Sequence, residues 1–241
     1  MESAADSIFF SPLRAETHFY IVRHGQSEGN AKRIFQGLLD LSLVDEGREQ
    51  ARSAGAWLAA QGVQAVFASP LLRAAETGRI IADACGAPLR FDETLRELDT
   101  GVFSGLGFEE SRFRYPEAYS GFKWRSWDAV PGSEKADVLY ERAMRAWTFL
   151  RDGAVALESE HDRLSSGDPV KIVAVSHGGF IQWLLRSTFG CLSWMPLVST
   201  ANCGIFELFV DPTEAGPAYV QWRRMNFVAS EKIQDETLPV F

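Results

Sequence analysis

The sequence predicts an α/β fold: a three-layer sandwich with a mostly parallel central sheet flanked by helices, plus a helical and loop insertion. Three observations carry this expectation. Short apolar runs rich in β-branched and aromatic residues, such as His18–Val22 and Val170–Val175, read as strands buried on both faces. Segments with apolar residues at helical spacing alternate with those runs. The stretch from Phe103 to Pro131 breaks the alternation with aromatics, Gly and Pro, which marks it as the insertion. At 241 residues, 46% hydrophobic and 23% charged, the chain can bury one such core.

Residues 1–16 are expected to be an N-terminal tail and 17–241 a single domain. The first strand, His18–Val22, follows a Pro-containing stretch and gives way to Gly25. Asp45 to Ala60 carries good helix formers with Ala51, Ala54, Trp57 and Leu58 at helical spacing, and Gly62 ends it. Val63–Ala68 reads as a second buried strand. Ser69 then acts as an N-cap with Pro70 at the first helical position, opening a helix to about Ala84. After the insertion, at about 103–131, a long amphipathic helix from Ser133 to about Glu158 contains Val138, Leu139, Ala143, Ala146 and Trp147. Val170–Val175 is the clearest central strand, and a helix over Phe180–Arg186 follows it. Gly204–Val210 and Ala218–Met225 are strands joined through Asp211-Pro212 and Gly216-Pro217, and are expected to add an antiparallel edge.

A net charge of -8, from 24 basic and 32 acidic residues, argues against non-specific nucleic-acid binding, which needs a broad basic surface. An anionic substrate must therefore be drawn in by local cations. No stretch approaches the roughly 20 apolar residues of a membrane span, and MESAADSIFF lacks the basic start and apolar core of a signal peptide. A soluble cytoplasmic protein with no membrane partner is expected. Cys85, Cys191 and Cys203 are odd in number and widely spaced beside apolar segments, so they read as buried reduced thiols. His18 reads as a packed or edge residue and His161, among charged neighbours, as solvent-exposed. Neither forms a metal-binding pattern with the other histidines, and no metal site is expected.

Three polar constellations follow predicted strands at once: Arg23-His24-Gly25, Ser69-Pro70 with Arg73, and Ser176-His177-Gly178. In open α/β sheets ligands bind beyond the carboxyl ends of the strands, so these distant segments are expected to meet. Arg73 lies in the first turn of its helix, where the macrodipole opposes a cation by about 0.3–1 kcal/mol. A bound anion would relieve that conflict. Arg23 leaves an apolar strand beside His24, and a guanidinium fork matches paired phosphate oxygens. Two arginines and two histidines in one crevice describe a site for phosphoryl chemistry.

The run Arg23-His24-Gly25-Gln26-Ser27-Glu28-Gly29-Asn30 resembles the signature of the histidine phosphatase (phosphoglycerate mutase-like) superfamily. The resemblance continues in order through Gln36-Gly37 with Asp40, Leu43 and Gly47, then Ser69-Pro70-Leu71-Leu72-Arg73-Ala74 with Thr77, Leu95-Arg96-Glu97 and Ser176-His177-Gly178. It covers about residues 17–226. The family implies a cofactor-independent phosphatase in which His24 attacks phosphorus and is transiently phosphorylated. Arg23, Arg73 and His177 would hold the non-bridging oxygens, with Asn30 and Gln36 as neutral donors. Glu97 matches the position of the acid that protonates the leaving oxygen and then activates water, with Asp99 a weaker candidate. The expected partner is a small-molecule phosphomonoester, and the insertion is expected to lie over the active site. Oligomeric state is not legible.

Three other readings compete with this one. Gly25-Gln26-Ser27-Glu28-Gly29 matches the nucleophile elbow of serine hydrolases, but only 26 residues precede Ser27, too few for the strands and oxyanion loop an elbow needs. Phosphoglycerate mutase-type transfer is the runner-up; mutases have Glu-Arg-x-Tyr-Gly at the acid and Asn after the second His-Gly. Here Leu98-Asp99-Thr100-Gly101 follows Glu97 and Gly179 follows Gly178, a departure from the mutases, while Leu95 to Tyr119, with Arg114-Tyr115-Pro116-Glu117-Ala118, resembles the phosphatase branch. Phe103-Ser104-Gly105 departs from the Trp-Glu-Gly common there and puts the rim contacts in doubt. A non-catalytic phosphate-dependent binding module is disfavoured because every expected catalytic residue is present. Phe103 to Trp127 holds eight aromatics in 25 residues against 12% for the chain, so these rings are expected either to favour a bulky or aromatic leaving group or to pack down onto the sheet. Arg112, Arg114, Lys123 and Arg125 offer instead a second anionic contact.

Overall fold

A computed structural model describes residues 8–160, 168–192, 198–212 and 217–229, with the side chains at 123–126 and 160 outside the description. The strands are β1 (Thr17–Arg23), β2 (Ala65–Ala68), β3 (Leu89–Phe91), β4 (Val170–Ser176), β5 (Ile205–Asp211) and β6 (Tyr219–Phe227). They form one sheet in the order β3-β2-β4-β1-β5-β6. The first four in that order are parallel, and β5 and β6 run antiparallel, as expected of the last two strands. Among the described residues seven α-helices accompany them: α1 (Glu28–Ala31), α2 (Asp45–Gln61), α3 (Leu72–Cys85), α4 (Phe108–Arg114), α5 (Pro116–Arg125), α6 (Ala136–Glu160) and α7 (Gly178–Thr188).

The two-residue period of the strands creates the three layers, because alternate side chains leave opposite faces. Tyr20, Val22, Val66, Ala68, Val173 and Val175 pack with Ala51, Ala54 and Leu58 of α2 and Ala74 and Ile81 of α3. Phe19, Ile21, Phe67, Ile172 and Ala174 pack on the other face with Leu139, Ala143, Trp147 and Leu150 of α6 and Phe180, Ile181 and Leu184 of α7. The Trp147 indole N–H donates to the Leu184 carbonyl at 3.1 Å, joining those two helices. No described helix is long and apolar enough to cross a membrane.

Several boundaries differ from expectation. Residues 8–15 do not trail as a tail: Phe10 and Leu13 are buried, and Phe10 packs on Phe19 and Trp147. The buried carboxylate of Glu158 accepts the Arg14 and Ala15 amides at 3.1 Å each, which fixes this segment to α6. Helix α3 begins at Leu72 and not at Pro70, because the backbone at Leu71 is extended (φ -61°, ψ 134°), which makes Leu71 the N-cap residue. Ser133 likewise precedes α6; its hydroxyl lies 2.6 Å from the Trp127 carbonyl, closing the insertion. The three-residue β3 is an addition to the expected strands, while α4 and α5 are the helical part of the insertion expected at about 103–131. Cys203 is buried, whereas Cys85 and Cys191 are only partly so. His18 is a packed residue whose Nδ1 lies 2.8 Å from the buried Glu207. His161 lies outside the described residues.

The insertion has its own aromatic centre. Phe35 is surrounded by the rings of Phe103, Phe108, Phe122 and Trp127 at centroid distances of 5.3, 4.8, 5.9 and 5.8 Å. Backbone bonds from Phe35 N–H to Leu106 O and from Gly105 N–H to Phe35 O, at 2.9 and 2.8 Å, tie it to the segment preceding Gln36. Phe113 by contrast is exposed, Arg114 pairs with Glu110, and the side chains of Lys123, Trp124 and Arg125 lie outside the described residues.

Candidate active site

Strand register brings the three polar turns together. Arg23 stands opposite Ser176, and Ala68 opposite Val175. The ladder continues one step beyond the strands: the His24 amide donates to Ser176 O and the Ser69 amide to Val175 O, each at 3.0 Å. As a result the His24 and His177 rings lie 5.1 Å apart. Strand β3 adds a fourth segment at the same edge, for the Asp92 amide donates to Ala68 O at 3.0 Å and a short turn over Glu93–Leu95 leads to Glu97.

His24 is 2% exposed and His177 fully buried, so solvent does little to stabilise a charge on either ring. Burial, then the nearby cations Arg73 and Arg23, hold His24 well below the usual histidine range. Burial also dominates at His177, with Arg73, His24, Arg142 and Arg23 acting in the same direction. Both rings are therefore neutral. His24 Nδ1 lies 2.7 Å from the Gly25 carbonyl, which can only accept, so Nδ1 carries the proton and Nε2 keeps its lone pair. His177 Nε2 meets Ser69 Oγ at 2.8 Å, and its Nδ1 is buried without a partner among the described residues.

The two arginines are braced from behind by carbonyls. Arg73 donates to Leu39 O at 2.7 Å and Gly37 O at 2.9 Å, while Arg23 Nη1 donates to Thr200 O. In each guanidinium Nε is buried and lacks a partner among the described residues. Burial pushes Arg73 down to about 10, with Glu97 and Asp40 opposing it, which leaves a cation at neutral pH. Burial lowers Arg23 as well, again against Glu97. Unsatisfied buried donors beside a neutral imidazole suit an anion with several oxygens.

Asn30 and Gln36 are oriented by Ser27, whose hydroxyl lies 2.8 Å from Asn30 Oδ1 and 2.7 Å from Gln36 Oε1. With both amide oxygens engaged, the amide nitrogens are the ends left to donate. The close approach of Gly25 and Gly47 holds this loop against α2: a Cβ on Gly25 would fall 2.3 Å from Gly47 O. Thr77 of α3 adds a further bond, accepting the Gly25 amide at 3.1 Å.

Glu97 lies across the start of α7. Its Oε2 accepts the Gly179 amide at 3.1 Å, and Oε1 accepts the Phe180 and Leu98 amides at 2.9 and 3.0 Å. Asp99 is turned to a local task, accepting the Gly101 amide at 2.8 Å. The structure thus gathers His24, His177, Arg23, Arg73 and Glu97 and places Asn30 and Gln36 beside them. Sequence reasoning missed Thr200 and Asn202; the Asn202 side-chain Nδ2 donates to His24 O at 3.1 Å and to Asn30 Oδ1 at 3.3 Å. Because β5 is antiparallel, its entry lies at the edge where the parallel strands exit. A polar run just ahead of such a strand is the signal that was available.

Residues 19–224 match the histidine phosphatase superfamily (branch 1). The chain is 35% identical over 193 residues to phosphoglycerate mutase-like protein 4 of Arabidopsis thaliana, covering 78% of each chain. It is 30% identical over 227 residues to glucosyl-3-phosphoglycerate phosphatase of Mycolicibacterium vanbaalenii, covering 90% of this chain and 97% of that one. Among solved structures, mycobacterial hydrolase 2 superposes with a TM-score of 0.75 at 22% identity, over 91% of this chain and 94% of the other, a likeness of fold. Sequence, fold and the convergence of the Arg-His-Gly and Ser-His-Gly turns agree, and the chain belongs to the histidine phosphatase superfamily.

Proposed function

We propose that this chain hydrolyses small-molecule phosphomonoesters through a phosphohistidine on His24, with Glu97 as general acid and base. The observation that carries the reading is the 2.7 Å contact of buried His24 Nδ1 with the Gly25 carbonyl, which calls for the proton on Nδ1 and leaves the Nε2 lone pair free to attack. In the first step Nε2 bonds to phosphorus, and the bond to the ester oxygen breaks. That oxygen keeps the electron pair and takes a proton from Glu97, releasing the alcohol. In the second step water attacks the same phosphorus while the Glu97 carboxylate takes its proton. The phosphorus–nitrogen bond breaks, its pair returns to Nε2, and inorganic phosphate leaves.

Arg23, Arg73 and His177 stabilise the charge on the equatorial oxygens in both steps, with Asn30 and Gln36 as neutral donors. For His177 to donate through Nδ1, the Ser69 hydroxyl donates to Nε2, which its 2.8 Å separation allows. Glucosyl-3-phosphoglycerate phosphatase, among the relatives, supports a small phosphorylated substrate. The mutase-like relative keeps phosphoryl transfer as the second reading. Gly179 weighs against it: a Cβ there would fall 2.7 Å from Glu97 Oε1, so the asparagine of the mutase pattern does not fit this placement of the acid.

Rapid quench with a labelled phosphomonoester tests the reading. An acid-labile, base-stable phosphoenzyme is expected in the wild type and none in His24→Ala. An adduct that survives this substitution would overturn the assignment.

A further inference from the structure

We infer that Arg142 of α6, clamped by Glu134, is a positioning residue that sets where Glu97 stands. The inference rests on the proposed role of Glu97 as the acid and names what fixes it in place.

Arg142 reaches the Glu97 loop from behind. Its Nη1 donates to the carbonyls of Thr94, at 3.0 Å, and Arg96, at 2.7 Å, the latter being the residue immediately before the acid. Its guanidinium carbon lies 3.9 Å from the centre of the Phe180 ring, and the Phe180 amide donates to Glu97 Oε1. One side chain therefore touches both the loop that carries the carboxylate and the helical turn that receives it.

Arg142 is itself held rigidly. Its Nε and Nη2 form a two-pronged pair with Glu134 at 2.8 and 2.7 Å, and both side chains are largely buried. The Glu134 amide donates to Asp99 O at 3.1 Å, on the far side of Glu97. The pair thus brackets residues 94 to 99. A planar fork is needed, since a lysine ammonium cannot bridge two carbonyls and a carboxylate in one plane. On the opposite side Glu97 sits against Gly179, where an added Cβ would fall 2.7 Å from its Oε1.

The test compares single-turnover phosphoryl transfer from an alkyl phosphate and from p-nitrophenyl phosphate in the full chain, for Arg142→Lys, Glu134→Gln and Glu97→Gln. Nitrophenolate leaves without needing a proton, so only the alkyl substrate reports on the placement of the acid. For Arg142→Lys the alkyl rate is expected to fall about ten- to a hundredfold, the range for a reacting group moved by about 1 Å, with the nitrophenyl rate nearly unchanged. Phosphoenzyme formed from p-nitrophenyl phosphate should also accumulate in this variant, because the same carboxylate activates water for its hydrolysis. Glu134→Gln, which keeps one acceptor oxygen, should show the same selectivity more weakly; it decides the matter where Arg142→Lys does not fold. Equal losses for both substrates, with Glu97→Gln still selective, would overturn the positioning role and leave the acid in place. Equal losses in Glu97→Gln itself would remove the acid assignment, and the inference with it.

Discussion

At His24 the Gly25 carbonyl decides which nitrogen carries the proton, and burial beside Arg73 and Arg23 decides that only one does. The residues proposed to bind an anion therefore keep the proposed nucleophile uncharged, since a cation near an imidazole disfavours its protonation. Long-range 15N–1H correlation spectra recorded at pH 6 should show His24 with Nδ1 protonated and Nε2 bare, although a free histidine is largely charged there. An imidazolium pattern would contradict the proposed nucleophile. Gly179 is equally exacting in a steric sense. Its missing Cβ lets the carboxylate sit on two backbone amides at the start of α7.

The elements of the insertion owe their shape to packing among their own side chains. Phe103 is fully buried, Phe122 and Trp127 nearly so, and all three face Phe35. These rings belong to the buried core on the α6 and α7 side of the sheet, which argues against a direct part for them in choosing the leaving group. Phe103→Ala should cost about 3–5 kcal/mol of stability, as for other buried aromatic truncations. Urea unfolding would measure that loss. The ranking of aromatic over aliphatic phosphates in kcat/KM should be retained; a changed ranking at unchanged stability would restore the selectivity hypothesis. Effects on turnover are expected through Gln36, which follows Phe35 directly.

For the molecule as a whole the buried neutral histidines tie folding to pH. Both have folded-state values below the unfolded one, so between the two the unfolded chain binds more protons. Their contribution is present above about pH 6.5 and is lost as pH falls below it, by up to about 1.4 kcal/mol per pH unit for each ring. Urea-unfolding free energies at pH 7.5 and 5.5 should differ accordingly, and the difference should shrink in a His24→Ala, His177→Ala double variant. An undiminished difference would place the pH dependence elsewhere. The net charge of -8 makes the site's own cations the attraction for an anionic substrate.

The sequence by itself determined the layers of the sheet, because two-residue and helical periods leave little freedom over long buried runs such as Val170–Val175. It also determined the convergence of Arg23, His24, Arg73 and His177, since parallel strands place their exits at one edge. Local signals failed where a residue's role depends on a distant partner. The tail up to Ala15 is ordered by Glu158, more than 140 residues away, and β3 exists only as an edge partner for β2. Thr200 and Asn202 enter the site because β5 runs antiparallel, which no short-range pattern records. The aromatics of the insertion were legible as a cluster, but whether a ring faces a ligand or another ring is a matter of burial. That is decided by tertiary packing, because the same side chain gains comparable free energy from either contact.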